Sequence, residues 1–135
     1  MRDSFHLVHI AVVVDAFGPG LDAEAGAAAV AAGWHAAAPE ARISVLAPAE
    51  IGADVDLVVT GGALFDWQAL RDSLVTAAAR AAVQRGVPCV VLAGQVSVGR
   101  REAAAVGVDA AYPLADVSRD ALVALAERVA RRWGR

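Results

Sequence analysis

The sequence predicts one three-layer α/β domain built on a mostly parallel sheet of about five strands, and two observations carry that reading. Short runs rich in Val, Ile and Leu alternate with Ala-rich stretches along all 135 residues, the trace left by strand–helix–strand units. Several of the runs are almost uninterruptedly apolar, as strands buried on both faces must be. Together they imply a doubly wound sheet of Rossmann or flavodoxin type, and the length suits a single domain, 1–135, rather than two.

The strands expected are Leu7–Val14, Ala41–Leu46, Val55–Thr60, Val87–Ala93 and Asp109–Tyr112, with the first, third and fourth at the centre of the sheet. Asp22 followed by Glu24 places acid at the start of the first helix, where the helix dipole favours it, and Pro39 stops that helix after His35 or Ala38. Asp66 is the expected cap of the second helix, whose Leu70, Leu74, Ala77, Ala78 and Ala81 form one stripe. Gly86 supplies a left-handed end and Pro88 follows. A short helix over Arg100–Val106 ends at Gly107. The last begins near Ser118, turns Leu122, Leu125, Val129 and Trp133 to the core, and carries Arg128, Arg131, Arg132 and Arg135 at the end where the dipole suits cations. Between the second and third strands, Ala47–Asp54 reads as a surface loop.

Composition excludes whole classes of function. Hydrophobic residues are 58% and charged residues 20%, the reverse of a disordered chain. No strongly apolar run approaches the roughly 18 residues that cross a bilayer, so no membrane partner is expected. The net charge is -3 and all 12 basic residues are Arg, so nucleic acid is not an expected partner, and neither Schiff-base chemistry nor a phosphate-binding Lys is available. One cysteine, Cys89, permits no internal disulfide and sits in a Val-rich strand as a small buried hydrophobe. The start Met1–Ser4 leads into no signal-like apolar core, which makes the cytoplasm the expected compartment. His6 and His9 lie three apart in a strand, so they face opposite ways and share no metal; edge-strand or surface positions are expected for both. No metal site is expected.

In an open parallel sheet, ligands bind beyond the carboxyl ends of the strands. Three glycine-bearing segments are expected there as loops: Asp15-Ala16-Phe17-Gly18-Pro19-Gly20, Thr60-Gly61-Gly62-Ala63 and Ala93-Gly94-Gln95-Val96-Ser97. None has a nucleotide-binding spacing, and turn geometry alone would explain the glycines.

These segments resemble a known family. Asp15-Ala16-Phe17 with Gly33-Trp34 and Ala38-Pro39 is similar to the opening of bacterial glycerate kinases of the D-S-F-K-G-S class. Thr60 through Ser73 aligns without gaps on that family's T-G-E-G-x-x-D-x-Q-S-x-x-G-K, and Gly86-Val87-Pro88 through Ala93-Gly94 resembles its next strand and turn. The resemblance implies the family's sheet domain, with Ala47–Asp54 standing where the family inserts a second domain that forms the other wall of the active-site cleft. It departs from the pattern where catalysis would need it. Gly18 replaces the first-loop Lys, Gly62 the Glu of T-G-E-G, and Asp72-Ser73 the G-K pair; Asp15, Thr60, Gly61, Asp66 and Gln68 are retained.

Phosphoryl transfer depends on positioned positive charge, and little of that apparatus is present. The expectation is a non-catalytic relative acting as a binding or assembly module, without cofactor. The alternative is a minimal kinase or sensor using Mg2+ and ATP on a small hydroxy acid, or binding a nucleotide. Candidate ligand-binding residues, suited to a small anion, are Asp15, Phe17, Gly18, Thr60, Gly61, Asp66, Gln68, Gly94 and Gln95. Phe17, Leu64, Phe65 and Trp67 are candidates for an interface with a second copy or another protein, although core packing would equally explain Leu64 and Phe65.

Overall fold

A computed structural model describes residues 7–133; His6, Arg135 and the start Met1–Ser4 lie outside the described residues. Five strands, β1 (His9–Val14), β2 (Arg42–Val45), β3 (Leu57–Phe65), β4 (Cys89–Val96) and β5 (Ala110–Pro113), pair in the order β2-β1-β3-β4-β5, and every pair is parallel. The chain therefore winds outward from β1 to β2, then crosses back and winds the other way from β3 to β5. The reversal of strand order falls between β1 and β3.

Helices α1 (Ala23–Ala37) and α4 (Arg119–Trp133) cover one face of the sheet, and α2 (Leu74–Arg85) and α3 (Arg100–Ala105) cover the other. Alternation along the strands divides the core. Ile10, Val12, Val59 and Leu92 meet Val30 and Trp34 of α1 and Leu122, Leu125 and Val129 of α4. Ala11, Val13, Val58 and Val91 meet Val75, Ala78 and Ala82 of α2. Alanine allows both layers to close tightly on the sheet. Between α1 and α4 the close approach is made at Gly33, where a Cβ would stand 2.2 Å from the Val123 carbonyl oxygen of α4, so only glycine lets the two helices touch there. No helix among the described residues is long and apolar enough to cross a membrane.

The helix ends follow the expected chemistry at three places. Asp22 accepts from the Ala25 N–H, Gly86 closes α2 at φ 69°, and Ser118 accepts from the Ala121 N–H at the start of α4. At a fourth they do not. Ser73, not Asp66, caps α2, accepting from the Thr76 N–H at 3.1 Å. Asp66 instead caps a separate turn through the Ala69 N–H at 3.0 Å, and the Ser73 and Thr76 hydroxyls donate to the Ala69 carbonyl, which ends that turn before a helix can grow from it.

Two segments expected as loops are strand. β3 runs through Gly61-Gly62-Ala63 to Phe65, and β4 through Gly94-Gln95 to Val96, because Leu64 pairs with Gln95 and Phe65 with Val96 beyond the ends of β1 and β5. The two central strands thus project as a two-stranded tongue. Gly61 makes the pairing possible: a Cβ there would lie 1.8 Å from the Leu92 carbonyl oxygen. β2 and β5 are each shorter than expected or shifted by a residue, as edge strands commonly are.

His9 also departs from expectation, being 6% exposed within β1 and flanked by β2 and β3. A buried imidazole needs partners. Its Nε2 lies 2.8 Å from Ser44 Oγ; its Nδ1 makes no hydrogen bond among the described residues and has only the Asp54 carboxylate nearby, Oδ2 being 3.2 Å away. Asp54 belongs to the connection Ala47–Asp54, a mostly exposed segment with a single 3-10 turn at Pro48–Glu50, anchored by the adjacent buried Ile51 against the α2 layer.

Cys89 is buried in β4, and that burial, with a smaller push from the Asp109 carboxylate, raises its thiol from 9.0 to about 12. At pH 8 a disulfide reagent is therefore expected to modify Cys89 only in denaturant, and reaction of the native protein at the denatured rate would contradict the burial. The sign of the linkage follows. Because folding raises the thiol value, the contribution of Cys89 to stability is intact below 9.0 and is lost as pH climbs from there toward about 12.

Candidate functional site

The reversal of strand order makes the carboxyl ends of β1 and β3 the place where a crevice can open. A depression of about 240 Å3 lies there, lined by Asp15 and Ala16 after β1, Gly61 to Leu64 in β3, and Ser73 to Val75 at the start of α2. Backbone bonds fix its floor: the Asp15 N–H donates to the Gly61 carbonyl at 2.9 Å, and the Ala63 N–H to the Ala16 carbonyl at 3.1 Å. Asp15 is exposed, and its Oδ1 accepts from the Ala16 N–H at 2.8 Å. Gly62 lies beside it, close enough that a Cβ would meet Asp15 Cβ at 3.4 Å. A carboxylate at position 62 would be its neighbour; with glycine there, Asp15 is the sole ionisable lining residue. Ser73 is committed to capping α2.

The residues expected to bind ligand separate into groups. Asp15 and Gly61 meet at the depression. Thr60 is fully buried, and its hydroxyl donates to the Val13 carbonyl. Phe17 is buried beneath α1, packed so that a Cβ on Gly26 would strike its ring at 2.8 Å, while Gly18 forms a tight turn with Leu21. Asp66 is occupied by its turn, Gln68 is exposed on that turn, and Gly94 and Gln95 lie on the tongue, Gln95 Nε2 being 3.4 Å from Ser97 Oγ. None of these last four lines the depression.

The aromatic and aliphatic candidates for an interface divide too. Phe17 and Phe65 are core residues, whereas Leu64 is 53% and Trp67 62% exposed. Val117, which sequence reasoning did not single out, is 48% exposed, and its side chain reaches both Gly18 and Gly94. Only the tertiary contact marks it, since the loop after β5 carries no motif. Among the described residues no group of three His, Cys, Asp or Glu could hold a metal ion.

The sequence pattern that defines the glycerate kinase family matches residues 46–131, which carry β3, β4, β5 and the lining contributed by α2. The chain belongs to the glycerate kinase family. Uncharacterized proteins of Mycobacterium bovis and Mycobacterium tuberculosis are each 38% identical to it over 82 residues, a stretch that is 61% of this chain and 22% of either relative. The family match begins at the end of β2 and includes Ala47–Asp54, while the segment Asp15–Gly20 lies outside it. As a glycerate kinase family member, the chain brings only Gly61 of the resembling residues Thr60, Gly61, Asp66 and Gln68 to the depression; the other three do not line it.

Proposed function

We propose that this domain is a non-catalytic member of the family that serves as a binding or assembly module. The observation that carries the proposal is the lining of the switch-point depression: one carboxylate, backbone, small side chains and the aliphatic Leu64, Leu74 and Val75, with no cation among the described residues. A phosphoryl group in flight carries negative charge over several oxygens, and a site without Lys or Arg leaves that charge to metal alone. The volume, about 240 Å3, is also below the roughly 300 Å3 at which ligand pockets usually begin. The short connection Ala47–Asp54 supports the same reading, since it occupies the place where the family's second cleft wall is expected. Incubation with ATP, Mg2+ and glycerate is expected to yield no phosphoglycerate above background. Turnover that disappears in Asp15→Ala would establish the alternative, a minimal kinase.

Leu64, Trp67 and Val117 supply what an assembly surface needs, exposed apolar area beside polar Asp15, Gln68 and Gln95. A two-fold interface requires only one self-complementary patch, so a second copy is the first partner to test. Light scattering at micromolar concentration is expected to report a dimer, and Trp67→Ala to weaken it by about 2 kcal/mol or more, as for a central aromatic anchor. A monomer throughout, or a dimer indifferent to Trp67, contradicts this surface.

A further inference from the structure

A second surface lies at the far edge of the sheet and owes nothing to the switch point. β5 pairs only with β4, so its outer edge carries unpaired backbone groups. Along that edge runs a groove of about 470 Å3, floored by Ala110, Ala111 and Tyr112 and walled by α3 through Arg100 and Ala103 and by α4 through Arg132 and Trp133. Trp133 Nε1 donates to the Tyr112 hydroxyl at 2.8 Å, which ties the end of α4 to the strand and fixes one wall. The groove thus straddles the sheet: Arg100 stands on the α3 side and Arg132 on the α4 side.

The charges there are not balanced among the described residues. Arg131 pairs with Glu127, Arg42 with Asp54 and Arg119 with Asp120, but Arg100 and Arg132 make no hydrogen bond or ion pair among the described residues. The acid in the groove lining, Asp109, is engaged by the Cys89 N–H at 2.9 Å. In a chain of net charge -3, two unpaired guanidinium groups therefore flank one open strand edge.

We infer that the β5 edge receives an extended acidic peptide segment of a partner protein as a sixth strand, with two successive acidic residues directed to Arg100 and Arg132. Adjacent side chains of a strand point to opposite faces, so an acidic pair places one carboxylate on each side of the sheet, where the two arginines already stand. Main-chain hydrogen bonds to the N–H and C=O of Ala111, which face away from β4, and to the carbonyl of Pro113 supply the pairing, and guanidinium–carboxylate bonds select the sequence. Pro113 has no N–H and offers that edge only its carbonyl, which keeps the added strand short. A second copy is disfavoured as occupant because two-fold pairing of β5 edges brings the arginines of both copies together.

The test uses the full chain and two fluorescein-labelled hexapeptides, Thr-Val-Glu-Glu-Val-Thr and the same peptide with Lys-Lys at its centre. Saturable binding of the acidic peptide alone, weakened about fivefold to tenfold by Arg100→Gln or Arg132→Gln, is expected. Hydrogen exchange should show new protection confined, within β5, to the amide of Ala111. The double reversal Arg100→Glu with Arg132→Glu should switch preference to the Lys peptide. Equal binding of both peptides, no binding at millimolar peptide, or protection elsewhere overturns the inference, and a change of oligomeric state in the double reversal overturns it in favour of a second copy.

Discussion

Gly61→Ala is expected to lower the stability of the protein by at least about 3 kcal/mol, and Gly61→Val to prevent folding. The cause is a backbone contact and not a side-chain one. With 1.8 Å between a Cβ at position 61 and the Leu92 carbonyl oxygen, relief requires β3 and β4 to separate at the centre of the sheet, and neither strand can move without disturbing a helix layer. Gly62→Ala is the matched control. Its nearest neighbours would be at 3.4 Å and 3.6 Å, ordinary contact distances, so its cost should stay under about 1 kcal/mol. Urea denaturation of the two variants side by side measures the difference, and equal midpoints would show that the strands do not approach as described.

The second large effect belongs to Trp34 of α1, which is fully buried against α4 and the sheet, with an indole N–H that has no hydrogen-bond partner among the described residues. Trp34→Ala should cost about 3–5 kcal/mol, the usual range for removing a buried aromatic. Trp34→Phe should cost much less than that, because the smaller ring leaves a modest void while the unpaired donor is removed with the indole. Thermal unfolding monitored by circular dichroism separates the two variants. A Phe variant as unstable as the Ala variant would mean that the indole N–H contributes to stability and that its surroundings are not as apolar as they are here.

The same residues show how far sequence reasoning reaches. The three-layer class and the central place of the first, third and fourth strands were legible because Val-rich runs and Ala-rich stripes report burial on one face or two, and Asp22 and Gly86 mark helix ends by purely local chemistry. The lengths of β3 and β4 were not. Gly61 and Gly94 carry the ordinary signature of turns, and only the close approach of Leu92 and Ala63 backbone turns them into strand residues. Asp66 failed as the cap of α2 for a related reason: its carboxylate bonds locally in a turn as readily as in a helix, and the choice was made by Ser73 and Thr76 several residues on.

For the site, the carboxyl end of the sheet followed from the fold class, and Asp15 and Gly61, which line the depression, were named there among nine candidates. Their companions were not, since a motif fixes spacing along the chain while the fold decides which side chains turn inward. Thr60 belongs to the motif but spends its hydroxyl on Val13. His9, Ser44 and Asp54 belong to no motif, and His9 comes within 3.2 Å or less of each of the other two because β1, β2 and the following connection converge at the amino end of the sheet.

The contact that Gly33 permits between α1 and α4 also governs the order in which the molecule can be completed. The first helix leaves the ribosome long before the last, and until α4 arrives the Trp34 face of α1 has only half of its eventual covering. Nascent chains should therefore remain open to chaperones and proteases until α4 has been made. Folding should be slower than in a helical domain of the same size, since α1 must close on α4 across all the strands that lie between them.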